Sequence, residues 1–109
     1  MVKQGTIIKI NFNPQSGHEQ AGFRPAVVVS NNVFNEKAKL SIVCPITNSN
    51  NKFPLHIPLD GRTKTTGVIL CEHIKALDLN SRAYEEVEKL PKDILKRVID
   101  MIYAEIEEI

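Results

Sequence analysis

The chain has 109 residues and a formal net charge of +1, with 42% hydrophobic and 25% charged residues. That length supports one modest core, and so ordinary a composition disfavours disorder, collagen, coiled coil and a disulfide scaffold. A near-neutral total argues against a protein that binds nucleic acid by bulk neutralisation of phosphates, yet the average hides a split, +4 over residues 1–80 against −3 over residues 81–109.

Met1 to Gly5 is too short and too polar for a signal peptide, and no apolar run approaches the roughly 20 residues that cross a bilayer, so a cytoplasmic protein with no membrane partner is expected. Gly5 to Phe12 is β-branched and partly alternating, which predicts a strand with Ile8, Ile10 and Phe12 on one face. Asn13-Pro14 breaks it, and the polar stretch to Gly22 reads as a long loop. Arg24 to Ser30 holds the run Ala26-Val27-Val28-Val29, the mark of a strand buried on both faces. Val33 to Lys37 predicts a short turn of helix, Leu40 to Ile46 a third strand, and Thr47 to Lys52 a polar loop. Leu55 to Leu59 is a short strand whose Pro58 suits an edge or an end. Asp60 to Gly67 is rich in turn formers, Val68 to Leu77 reads as one strand, and Ala83 to Val87 as another. Pro91 suits the first position of a helix, after which Ile94, Leu95, Val98, Ile99, Ile102 and Ile106 fall on one stripe facing a core. Several short strands followed by one packed helix imply a mainly β chain, a small bent sheet or β-barrel capped by a C-terminal helix, as a single domain over residues 1–109.

Function on such a scaffold gathers in loops carried by rigid strands. The stretch Gly17-His18-Glu19-Gln20-Ala21-Gly22-Phe23-Arg24-Pro25 sets an imidazole, a carboxylate, an amide and a guanidinium beside the most buried strand. Arg24 either pins the loop through carbonyls or carboxylates, or offers its fork to a phosphate. Thr47, just past Cys44-Pro45-Ile46, is either a turn former or a hydroxyl donor at a site. Cys44 and Cys71 sit in apolar runs without CxxC or Cys/His spacing, as buried small hydrophobes. His56 and His73 lie inside strand runs and read as ordinary barrel residues, while Phe23 and Phe53 serve equally as core residues or as platforms for unstacked bases.

Taken together, Gly5-Thr6-Ile7 with Asn13-Pro14, the block Gly17 to Ser30, Val43-Cys44-Pro45-Ile46-Thr47, Thr65-Thr66-Gly67-Val68-Ile69 and Ile74-Lys75-Ala76-Leu77-Asp78 resemble the MazF/PemK (Kid-like) toxins of type II toxin–antitoxin systems over nearly the whole chain. The resemblance implies an SH3-like small β-barrel, the CcdB/MazF-like plasmid maintenance toxin fold, with a C-terminal helix. It further implies a homodimer that cleaves single-stranded mRNA at specific sequences without a metal or other cofactor, and that is blocked by a cognate MazE-like antitoxin. The family's catalytic arginine and threonine fall on Arg24 and Thr47, and its substrate-contacting stretch on His18, Glu19 and Gln20; Phe53 and Glu72 complete the expected substrate surface. One branch of the family places an arginine and an aspartate in the strand after Thr-Gly, where this chain has Leu70 and Glu72. That branch's acid–base pair is therefore broken here, whereas Arg24 and Thr47 are intact. A CcdB-like gyrase inhibitor on the same fold is the alternative, but it has no use for an Arg24/Thr47 pair. A non-catalytic SH3-like module would want an aromatic-rich groove, which 6% aromatics without Trp does not supply.

Overall fold

The β-branched runs become strands because Val and Ile pack well on a pleated surface, and the polar punctuation between them becomes turns. A computed structural model describes residues 1–12, 23–49 and 54–108. Its elements in chain order are β1 (Thr6–Ile10), β2 (Arg24–Val28), α1 (Asn32–Ala38), β3 (Ser41–Thr47), β4 (His56–Pro58), β5 (Val68–Leu70), β6 (Lys75–Leu77), β7 (Tyr84–Lys89) and α2 (Lys92–Ile106). The strands form one antiparallel sheet in the order β4-β5-β3-β2-β1-β7, with β6 also paired to β3. The sheet curls into a barrel-like half-wrap without closing among the described residues.

Alternation along the central strands sorts their side chains into two cores. Ile7, Val27, Cys44, Ile46 and Ile69 pack with Ile94 and Val98 of α2. Ile8, Ile10, Ala26, Val28 and Val43 pack on the other side with Leu77 and Leu79, against which Phe12 and Tyr84 lie. The central strands are thus buried on both faces, as the continuous apolar run in β2 predicts, and Ile8, Ile10 and Phe12 share a side.

Five expectations need correction. The expected strand Val68–Leu77 is broken by a 3₁₀ turn at Cys71–His73. Between Val43 and Ile46 of β3 the partner chain runs from Lys75 back to Ile69, so three extra residues must loop out, and they do so as this turn. Accordingly His73 is an exposed turn residue and not a barrel strand residue. The short turn expected at Val33 is a full helix, α1, because the Asn31 side chain caps it by accepting from Phe34 N–H at 2.7 Å. Pro91 stands one place earlier than expected, at the N-cap of α2, with extended backbone (ψ 141°). The α2 stripe faces the core only as far as Ile102, since Ile106 is 72% exposed on the last turn.

A second bend lies at the other edge. β7 carries one extra residue, Val87, between its pairs to Ile7 and Ile8, a bulge that sharpens the local twist.

Candidate active site

Strand pairing places the two principal candidates at one end of the sheet. β2 and β3 pair Ala26 with Pro45 and Val27 with Cys44, and Arg24, the first residue of β2, and Thr47, the last of β3, each stand two residues beyond the Ala26–Pro45 pair. Cross-strand neighbours point to one side of a sheet. Arg24 is itself the partner of Ile10, Ile10 of Tyr84, and Thr47 of Val68. Tyr84, Ile10 and Arg24 thus lie in one row, at the end of the sheet where β1 and β3 finish, β2 starts and Thr47 pairs with Val68. Phe23 is 47% exposed and Arg24 is exposed, so the guanidinium projects from a buried strand towards solvent. Thr47, expected in a loop, is the last residue of β3 and is half-buried.

What holds Thr47 is a contact that sequence reasoning did not assign. Thr47 Oγ1 accepts from Ser49 N–H at 3.1 Å, and Thr66 Oγ1 donates to Asn48 Oδ1 at 3.0 Å. Behind it Gly67 has φ +118°, and a Cβ there would lie 2.3 Å from the Thr47 carbonyl oxygen. Only glycine fits both the backbone angle and the contact. The signal was present as Thr66-Gly67, but which carbonyl it abuts depends on β3–β5 pairing, which no local pattern states.

The loop leading to Gly67 is tied down at two points. Glu88 of β7 accepts from Lys64 N–H at 3.1 Å, Thr65 N–H at 2.8 Å and the Thr65 hydroxyl at 2.8 Å. Burial pushes the Glu88 carboxyl up, but these hydrogen bonds outweigh it and hold it below its ordinary range. Arg62 makes a forked pair to Asp93 in the first turn of α2, both contacts at 2.9 Å, and also pairs with Asp60. Hydrogen bonds from Arg62 lower both carboxyls.

Glu72 sits in the 3₁₀ turn, where its Oε2 accepts from His56 Nε2 at 2.8 Å. The His56 side chain is 4% exposed and comes from β4, so this is a semi-buried link between edge strand and turn. Burial raises the Glu72 carboxyl, but the His56 hydrogen bond, the backbone and nearby His73 together bring it below its usual value. Glu105 of α2 is pushed the other way, by burial and by the charge on Glu72. Cys44 and Cys71 are fully buried free thiols, their pKa driven up chiefly by burial, Cys71 to about 12, which keeps both unreactive. No group of three potential metal ligands converges among the described residues. His18, Glu19, Gln20 and Phe53 lie outside the described residues.

The geometry therefore sets an exposed cation and a half-buried hydroxyl at the same end of the sheet, with a carboxylate–imidazole pair joining β4 to the 3₁₀ turn. A model of the PemK-like, MazF-like toxins of type II toxin–antitoxin systems matches residues 3–104. Endoribonuclease PemK of Escherichia coli is 31% identical over 102 residues, covering 90% of this chain and 77% of its own length. The crystal structure of MazF from Deinococcus radiodurans superposes with a TM-score of 0.82 at 34% identity, covering 94% of each chain. A MazE–MazF crystal structure from the same organism superposes with a TM-score of 0.83 at 27% identity, over 99% of this chain and 97% of that one.

Proposed function

The chain belongs to the PemK-like, MazF-like toxin family of type II toxin–antitoxin systems, and from that premise we propose that residues 1–109 form one toxin domain that cuts single-stranded mRNA in the cytoplasm. It acts as a homodimer and is silenced by a MazE-like antitoxin; a relative is named an endoribonuclease, and a solved relative is a MazE–MazF complex.

In this reading the ribose 2′-hydroxyl is the nucleophile. Glu19 or His18 takes its proton, the oxygen attacks phosphorus, and the bond to the 5′-oxygen breaks as that oxygen takes a proton from water. The products are a 2′,3′-cyclic phosphate and a 5′-hydroxyl. Charge grows on the non-bridging oxygens, where Arg24 supplies a permanently protonated fork and Thr47 a hydroxyl donor. A well-placed donor of this kind contributes about 3 kcal/mol of transition-state stabilisation. His18, Glu19, Gln20, Phe53 and Glu72 contact the RNA. The single observation that supports this assignment is that the paired strands β2 and β3 begin on Arg24 and end on Thr47, at the same end of the sheet.

The test is cleavage of single-stranded RNA in EDTA. The wild-type chain should cut and leave cyclic phosphate ends, Arg24→Ala should lose roughly 100-fold or more in rate with an unchanged fold, and an RNA with one deoxyribose 5′ of the scissile phosphate should bind without being cut. Undiminished cutting by Arg24→Ala would sink the assignment.

A further inference from the structure

At the opposite end of β1 from Arg24 lies a cleft of about 690 Å³, bounded by Gln4 and Gly5, the end of β7 and the first half of α2. Gly5 to Ile10 spans about 17 Å of extended chain, so the two sites do not overlap. The floor is apolar: Leu90, Pro91, Leu95 and Ile99. Its rim carries Lys89, Lys92 and Lys96, all exposed. Lys96 is offset by Asp100 at 2.8 Å, and Lys89 donates to the Thr6 hydroxyl at 3.2 Å, while Lys92 makes no ion pair among the described residues. Three lysines and no carboxylate are among the residues that line the cleft.

We propose that this cleft seats an acidic, partly apolar segment of the antitoxin, as a second hold on the toxin remote from the RNA-cleaving row. The proposal rests on the toxin reading above. Leu95 and Ile99, like Lys92 and Lys96, are four residues apart on α2, so floor and rim both repeat about every 6 Å. A segment with carboxylates at that spacing and an apolar side chain between them meets both. Charge complementarity selects the acid, and the floor selects the apolar side chain. Nine residues line the cleft, against roughly 20–30 on each side of a standard protein interface, so it fits a short linear segment better than a second globular copy. RNA would find phosphate partners on the rim but, among the lining residues, no aromatic ring on which to stack a base.

The experiment titrates full-length cognate antitoxin into the full chain by calorimetry and compares Lys92→Glu/Lys96→Glu with wild type. Two exposed ion pairs at about 0.7 kcal/mol each correspond to a roughly tenfold weaker affinity. Cleavage of RNA by the free variant should be unchanged, and antitoxin should slow amide exchange at Leu90 and Leu95. If the charge-reversed pair fails to fold by circular dichroism, Lys92→Gln/Lys96→Gln replaces it, with a smaller loss in the same direction. Antitoxin affinity within about twofold of wild type overturns the proposal and leaves the ribonuclease reading standing. A variant that loses RNA affinity instead makes the cleft an RNA surface, and one that dissociates in sedimentation makes it a contact between copies; either result overturns it. A wild-type chain that binds antitoxin but cuts no RNA refutes the activity and leaves the docking site intact.

Discussion

Gly67 shows how a residue without a functional group governs a functional one. Its φ of +118° and the 2.3 Å that would separate an added Cβ from the Thr47 carbonyl leave no room for any side chain. Gly67→Ala must push the end of β3 outward and so misplace the Thr47 hydroxyl. A shift near 1 Å costs about 100-fold in a reaction that depends on positioning, and the strained backbone costs on the order of 1–3 kcal/mol of stability. RNA cleavage by Gly67→Ala should therefore fall much further than its folded fraction does, and cleavage at the wild-type rate would refute the contact. The strand that Arg24 opens was legible, because the apolar run beside it is written in its own residues, whereas Thr47 reads as the start of a polar loop and instead ends β3. The His56–Glu72 link was not: it joins side chains 16 positions apart through the β4–β5 pairing and a turn that interrupts the expected strand.

At the scale of elements, the strands and the terminal helix follow from periodicity, and the misses fall where pairing decides. The stretch after Val68 has strand residues throughout, yet β3 offers it too few partners and the surplus becomes a turn. α1 is similar in kind. Its seven residues are too few to form a helix in isolation, and it is held by a buried side chain that no pattern announces. Asn35, with no exposed surface, accepts from the Ser30 hydroxyl and donates to the carbonyls of Val2 and Ser30 at 3.2 and 3.3 Å, while Ser30 Oγ accepts from Ile42 N–H at 2.9 Å. This network ties α1 to the chain start and to β3. Asn35→Ala leaves buried acceptors without their donors, and should cost about 2–3 kcal/mol in urea unfolding while leaving the RNA-cutting rate of the folded protein intact. A change below about 0.5 kcal/mol would mean that the network contributes nothing net.

Over the whole molecule, the carboxylates impose a direction on acid stability. Asp60, Glu72, Glu88 and Asp93 all titrate below their ordinary values in the folded chain. A group whose folded pKa is depressed stabilises above its unfolded pKa, near 4, and loses that contribution as pH falls through the folded value. The melting temperature should therefore hold from neutrality to about pH 5 and drop steeply below about pH 4. Glu88→Gln, which keeps the shape but not the charge, should flatten that drop; an unchanged acid limb would show that the loop-to-β7 hydrogen bonds do not contribute. The charge split read from the sequence also has a place in the fold, since the acidic third is β7 and α2, apart from Lys89, Lys92 and Lys96 around the cleft.

Those last two elements have a consequence in time. β7 supplies the second neighbour of β1, Glu88 fastens the loop that ends in Gly67, and Asp93 holds that same loop through Arg62. Each of these partners is encoded after residue 80. A ribosome must release nearly the entire polypeptide before the first strand is enclosed and the loop ending in Gly67 is fastened. A chain that stops before residue 80 thus lacks the second neighbour of β1 and both side chains that fasten the loop ending in Gly67.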